Sequence, residues 1–135
     1  MSHIHEPIEP DKLQAMSVLG LAHVGDAVYE LLVRDHLARQ GGQKVNDQHR
    51  KTISYVSAVA QAAAMERILP ALTQEEHKYY RRGRNARVHA PSGCTIAQYH
   101  AATALETVFG YLWLTGQAQR AEELFSLILE EHDAS

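Results

Sequence analysis

Apolar residues recur every three or four positions along most of this chain, the spacing that places them on one face of an α-helix. The sequence has no Asn-Gly or Asp-Gly hairpin turn and few alternating strand patterns, while alanine, a strong helix former, is frequent. A chain of 135 residues is long enough to bury one conventional hydrophobic core. The sequence therefore predicts a single all-α domain over residues 1–135, whose first 16 residues we expect to be partly mobile.

The composition excludes several classes of protein. The chain has 13 basic and 16 acidic residues, a net charge of -3, which excludes a globally basic nucleic-acid binder but leaves room for a local patch. Its one cysteine, Cys94, favours a reducing compartment. The acidic start does not resemble a signal peptide, and no uncharged stretch suits a membrane span. We expect a cytoplasmic protein without membrane contact.

Capping residues and glycines predict where the helices begin and end. Thr73 and Glu76 have the spacing of a capping box, Ser57 is suited to an N-cap, and paired glycines typically follow a helix. A loop is expected from Gly83 to Thr95 because this stretch contains two glycines and a proline. The predicted helices run from about Ser17 to Gly41, Asn46 to Tyr55, Ser57 to Pro70, Thr73 to Arg82, Ile96 to Leu114, and Gln117 to Glu131.

Asp26 is unusual because it lies in the middle of the first long apolar helix. With His23 and Glu30 it forms a narrow polar stripe along one edge of that helix. A partly exposed stripe beside the core explains this pattern without any function. Gly20 and Gly25 in the same helix weaken that explanation. Glycine in a helix interior is roughly 1 kcal/mol less favourable than alanine, so its presence suggests that a ligand or another backbone comes close.

Glu106 is the only charged residue between Val88 and Gln119, in a helix rich in leucine and aromatic residues. A buried lone carboxylate must be neutralised by a proton, a cationic group or a metal ion. No lysine or arginine lies within a helical turn of it, so its partner comes from elsewhere. If the helices of Asp26 and Glu106 pack together, they form an oxygen-rich site suited to Mg²⁺.

A basic segment over residues 78–87 concentrates five of the 13 lysines and arginines. Arginine binds phosphate oxygens with two parallel hydrogen bonds, an asparagine adds a further donor, and Gly83 is expected to let the backbone approach a ligand. A solvated charged turn balanced by nearby glutamates is the alternative. The predicted polyanion-binding residues are Lys78, Arg81, Arg82, Arg84, Asn85 and Arg87.

Three separated segments, residues 21–30, 82–86 and 102–114, resemble in order and spacing the bacterial Mini-ribonuclease III family. The resemblance covers about residues 18–129, nearly the whole chain. It implies a helical bundle like the ribonuclease III endonuclease domain, without an appended double-stranded-RNA-binding domain.

The resemblance also implies an activity and partners. Members form homodimers that cleave double-stranded RNA with Mg²⁺, leaving 5′-phosphate and 3′-hydroxyl ends, and are associated with maturation of precursor large-subunit (23S) ribosomal RNA. Asp26 and Glu106 fall on metal-binding catalytic positions, and residues 78–87 fall on an RNA-contacting segment. A ribosomal protein is a candidate further partner.

The chain departs from full-length ribonuclease III at several positions. Leu19, Ala22 and Thr103 stand where that enzyme has further carboxylates, so two acids remain. Whether the site binds a second metal ion is left open. His23 replaces an aromatic residue that packs into the partner subunit, which makes it a predicted dimer-interface residue.

Two other functions remain open at this level. The first is a catalytically inactive RNA-binding or ribosome-associated module of the same fold. The second is a helical DNA-binding regulator, which is poorly supported because the arginines do not begin a recognition helix.

Overall fold

Helices make up most of the structure. The computed structural model describes residues 2–42 and 44–134, and this part of the chain contains no β-strand, which confirms the all-α prediction. A single 3₁₀ turn, Leu69–Ala71, follows the fourth helix. The α-helices are α1 (Pro10–Ala15), α2 (Val18–Gln40), α3 (Val45–Val56), α4 (Ala58–Ile68), α5 (Gln74–Arg84), α6 (Ile96–Leu114) and α7 (Ala118–Ala134).

Helix α6 is the centre of the bundle, and α2, α4 and α5 pack around it. Its middle is buried on almost every side, which explains why this helix is apolar over most of its circumference. Tyr29 of α2 packs edge-on against Phe109 of α6 and Phe125 of α7, with ring centroids 5.3 and 5.7 Å apart. Within residues 2–42 and 44–134, no helix is long and apolar enough to cross a bilayer.

Most predicted helix ends are confirmed by their caps. Ser17 and Ser57 accept hydrogen bonds from the backbone N–H groups of Gly20 and Ala60, and Thr73 and Glu76 form the predicted capping box. The predicted start of α3 at Asn46 is wrong, because the helix begins at Val45. The expected loop start at Gly83 is also wrong, since α5 continues to Arg84.

The N-terminal segment lies against the bundle. The Ile8 N–H donates to the Leu114 carbonyl over 2.7 Å, and Leu13 of α1 packs with Leu21 and Tyr79 in a small apolar cluster. Helix α1 was not expected from the sequence. The partial mobility of this segment stays a prediction.

Helices α2 and α6 cross with their backbones in direct contact at two glycines. A Cβ on Gly25 would overlap the Glu106 carbonyl, and a Cβ on Gly110 would overlap the Leu21 carbonyl. This confirms the expectation that another backbone approaches Gly25. The same expectation for Gly20 is wrong, because a Cβ there would meet only side chains, the nearer being Ser17 Oγ at 3.1 Å.

Glu76 of α5 fastens α5 to α7 by a buried ion pair. Its side chain is 3% exposed and receives hydrogen bonds from Arg120 Nε at 2.9 Å and Nη2 at 3.0 Å. The Thr73 backbone N–H also donates to it over 2.9 Å. Burial by itself raises the pKa of Glu76, but these hydrogen bonds outweigh burial and hold its pKa below the usual value.

Gly25→Ala should lower the free energy of unfolding by about 3 kcal/mol or more, because a methyl group there forces two backbones apart. Urea denaturation followed by circular dichroism measures the change. Gly20→Ala, in the same helix, is the matched control and should change it by less than about 1 kcal/mol. Equal effects of the two substitutions would contradict the backbone contact.

Glu76→Gln should lower the free energy of unfolding at pH 7 by about 2–3 kcal/mol, since Arg120 loses its ionised partner. The pKa of Glu76 lies below its ordinary 4.5 in the folded state, so its ionised form stabilises the fold above that pH. This contribution is lost as the pH falls from 4.5 through the folded-state pKa. Denaturation between pH 2.5 and 7 should show a shallower acid loss for Glu76→Gln, whereas exposed Glu75→Gln should follow the wild type.

Candidate active site

The crossing of α2 and α6 brings Asp26 and Glu106 together. Gly25 packs on the Glu106 backbone, and Asp26, the next residue of α2, projects beside the Glu106 side chain. The two carboxyl groups lie close enough to share a hydrogen bond when one of them is protonated. Asp26 is exposed and Glu106 is partly buried, so the pair lies at the surface of the bundle with one member anchored in it.

The electrostatics of this pair are those of two acids without a compensating cation. Burial, the hydrogen bond with Asp26 and the charge of Asp26 raise the pKa of Glu106 to about 8. Among residues 2–42 and 44–134, no lysine or arginine forms an ion pair with either acid. The neighbour that the fold brings to Glu106 is therefore a second carboxylate, that of Asp26. In its protonated form, Glu106 can donate a hydrogen bond to Asp26.

This donor set fits a hard divalent cation. Two carboxylates are enough for an ion such as Mg²⁺, which retains several waters and also binds substrate phosphate oxygens. The described residues contain no cluster of three or more acids, histidines and cysteines that could hold a metal ion. Thr103 occupies one of the positions at which this chain lacks a carboxylate. It is buried, and its hydroxyl group donates a hydrogen bond to the Tyr99 carbonyl over 3.0 Å. The protein thus supplies a pair of ligands and leaves the remaining positions open.

The other members of the polar stripe on α2 have separate surroundings. His23 is exposed, one turn before Asp26. Glu30, one turn after Asp26, forms an ion pair with Arg34 at 2.9 Å.

The basic segment covers the second half of α5 and the turn that follows it. Arg82 is half-buried, and its Nη2 donates to the Met16 carbonyl over 3.4 Å while the guanidinium lies 5.3 Å from the Tyr79 ring centroid. Arg84 is exposed and lies 5.2 Å from the Tyr80 ring centroid. The remaining members, Lys78, Arg81, Asn85 and Arg87, are exposed to solvent.

Gly83 has a different role from the one predicted for it. It is buried in α5, and a Cβ there would lie 2.6 Å from the Ala104 Cα and from Thr107 Oγ1. The prediction that Gly83 lets a ligand approach the backbone is therefore wrong: it lets α5 approach α6. Thr107 follows Glu106 directly, so the arginine-bearing end of α5 packs beside the turn of α6 that carries the carboxylate.

Sequence reasoning missed the residues that support the arginines. Tyr79 and Tyr80 bury their rings in the bundle and present them to Arg82 and Arg84. The spacing Tyr79–Arg82 and Tyr80–Arg84, three and four residues on a helix, is a signal that could have identified them. Gly110, the partner of Gly25 at the crossing, was also missed, although a glycine inside a strongly apolar helix carries the same signal as Gly25.

Comparisons with known proteins show which family the chain is similar to. The model of the ribonuclease III domain matches residues 19–117. The chain is 49% identical to Mini-ribonuclease 3 of Symbiobacterium thermophilum, over 78% of this chain and 82% of that protein. It is 44% identical to Mini-ribonuclease 3 of Enterococcus faecalis, over 84% and 88% of the two chains.

A solved structure shows the same fold. The crystal structure of a Fusobacterium nucleatum protein superposes with a TM-score of 0.82 at 26% identity and covers 90% of this chain and 98% of that one. The prediction of a helical bundle like the ribonuclease III endonuclease domain is confirmed. The enzymes of this domain depend on a divalent metal ion, in keeping with the carboxylate pair. The chain belongs to the ribonuclease III family and is an endoribonuclease that leaves 5′-phosphate and 3′-hydroxyl ends.

Proposed function

We propose that this protein cleaves double-stranded RNA with Mg²⁺ held by Asp26 and Glu106. The observation that carries the proposal is the juxtaposition of two carboxyl groups at the surface, which no lysine or arginine within residues 2–42 and 44–134 pairs with. A buried acid with a raised pKa destabilises a fold, so its placement against a second acid needs a reason outside folding. When bound, the divalent cation supplies the positive charge that activates water and stabilises the phosphate under attack.

The two acids differ in their position at the site. Glu106 is fixed in α6 by the backbone contact with Gly25, so its carboxylate has a defined position. Asp26 is exposed, so its carboxylate is accessible to a cation that also binds a substrate phosphate. No nucleophilic side chain of the protein is required, and the family chemistry is hydrolysis.

The substrate proposal extends to the class of RNA and its source. Exposed arginines on α5 contact phosphates of an A-form duplex, whose base edges are poorly accessible, so selectivity depends on the shape of the RNA. The resemblance to the Mini-ribonuclease III family supports precursor 23S ribosomal RNA, in the cytoplasm, as the proposed substrate. A ribosomal protein as a further partner stays a prediction.

A homodimer would use the exposed face of α2 next to Asp26. Leu19, His23, Ala27 and Leu31 follow one another at intervals of four residues and all are exposed, Leu19 by 51% and Leu31 by 59%. An exposed apolar stripe of this kind is typical of a protein interface. This face supports the prediction that His23 lies at the dimer interface.

The alternatives are less well supported. An inactive RNA-binding module would have no use for a second acid, Asp26, whose hydrogen bond and charge raise the pKa of the partly buried Glu106. A DNA-binding regulator would present its arginines at the start of a recognition helix, whereas these arginines lie at the end of α5.

Asp26→Asn and Glu106→Gln should each reduce cleavage of a long RNA duplex in Mg²⁺ by at least about 100-fold, since either change removes half of the protein ligands to the metal. Affinity for the duplex, measured in Ca²⁺ or EDTA, should change less than about threefold. Exposed Glu123→Gln is the control and should cut like the wild type. Wild-type protein that binds the duplex but never cuts it would favour the inactive module.

Replacing both Arg84 and Arg87 by alanine should weaken binding to every duplex tested, because these exposed side chains contact phosphates. The slope of log affinity against log salt concentration should fall by roughly one to two. Arg39 and Arg50, exposed arginines on α2 and α3, are the matched pair for a control double variant. An unchanged salt slope in the Arg84 and Arg87 variant would rule out the phosphate contact.

Leu31→Glu should raise the dimer dissociation constant at least about tenfold, because it places like charges opposite each other across a twofold interface. Sedimentation velocity over a range of concentrations measures this. Val45→Glu on α3, where the residue is 79% exposed, is the control and should leave the dimer unchanged. A monomeric wild type, or equal weakening by both changes, would count against the α2 interface.

A further inference from the structure

A second concave site lies between α3, α4 and α7. Its volume is about 510 Å³, within the range of pockets that bind small molecules. Tyr29 of α2 contributes to its inner wall, while α4 and α7 form its sides. The pocket shares none of its lining residues with the carboxylate pair or with the basic segment.

The Tyr29 hydroxyl at this pocket lacks a hydrogen-bond partner among residues 2–42 and 44–134. Tyr29 is completely buried, and its ring is held edge-on between Phe109 and Phe125. Burial raises the pKa of Tyr29 well above its usual range, and the neighbouring Tyr55 raises it further. The phenol therefore stays neutral and can donate a hydrogen bond. A buried hydroxyl without a partner destabilises the fold, and a bound polar group can satisfy it.

The walls of the pocket select a flat molecule. On one side α4 contributes the small side chains of Ala60, Ala63 and Ala64. On another side Tyr55 and His132 are stacked, with ring centroids 3.7 Å apart and an angle of 14° between the planes. A slot between methyl groups and aromatic rings favours a planar ring over a branched or flexible chain.

The charges at the rim disfavour an anion. Arg67 is engaged, because its Nε donates to the Leu127 carbonyl over 3.4 Å and its guanidinium pairs with Glu131 at 3.4 Å and Glu130 at 3.8 Å. Glu66 and Glu131 line the same pocket, so its rim carries more negative than positive charge. An ionised ligand would also lose its hydration inside the apolar slot.

We infer that this pocket is a binding site for a small neutral heteroaromatic molecule, of about purine size, which hydrogen bonds to the Tyr29 hydroxyl. The ring would occupy the slot beside the α4 alanines, and a ring nitrogen would accept the Tyr29 hydrogen. The site is independent of RNA cleavage, so the proposal stands or falls separately from the catalytic one.

The test uses free adenine as the probe, added to the full-length protein and followed by ¹H–¹⁵N correlation spectra. We expect saturable shifts confined to α4, α7 and the end of α3. Tyr29→Phe should weaken adenine binding about fivefold, the loss of one hydrogen bond, without lowering the melting temperature of the free protein. Adenosine monophosphate, which is anionic, should bind more weakly than adenine.

A paired substitution locates the site. Ala63→Leu places extra bulk at the exposed edge of the slot and should abolish the shifts, whereas Ala97→Leu, on an exposed position of α6, should leave them unchanged. Shifts that survive Ala63→Leu, or an absence of shifts at saturating adenine, would overturn the proposal. So would a large fall in the melting temperature of Tyr29→Phe, because it would show that the hydroxyl already has a partner in the free protein.

Discussion

The structure depends on the backbone contact between α2 and α6 at Gly25 and Gly110. Side chains larger than hydrogen at these positions would occupy the space of the facing carbonyl groups. Because the contact fixes both the distance and the rotation of the helices, it also fixes which side chains meet beside it. Asp26 and Glu106 adjoin this crossing, so the proposed active site is a direct consequence of how the two central helices pack.

A second glycine contact attaches α5, the proposed RNA-binding element, to the same core. Gly83 brings α5 against Ala104 and Thr107 of α6, and the Glu76–Arg120 ion pair fastens the opposite end of α5 to α7. With both ends fixed, the arginines at the end of α5 have a constant position relative to Glu106. Packing thereby holds the basic end of α5 and the carboxylate pair in a fixed relative position.

The sequence predicted local features well and tertiary ones incompletely. Helix ends followed from hydroxyl caps such as Ser17 and Thr73, whose hydrogen bonds are made within one turn. Asp26 and Glu106 stood out because acids are rare inside apolar helices, although periodicity could not show that they touch. Gly83 was misassigned for the same reason: a glycine next to arginines is equally suited to a ligand or to a neighbouring helix, and only the packing on α6 distinguishes them. The aromatic support from Tyr79 and Tyr80 needed the orientation of α5 as well.

The central claim is that Asp26 and Glu106 hold one divalent cation jointly, and Mn²⁺ binding measured by electron paramagnetic resonance tests it most directly, without RNA or turnover. The account predicts one Mn²⁺ site per chain in the wild type, lost in Asp26→Asn and equally in Glu106→Gln, with no further loss when the two changes are combined. Because the acids act as one site, their effects should not add. A site that keeps its full affinity after either substitution would contradict the account.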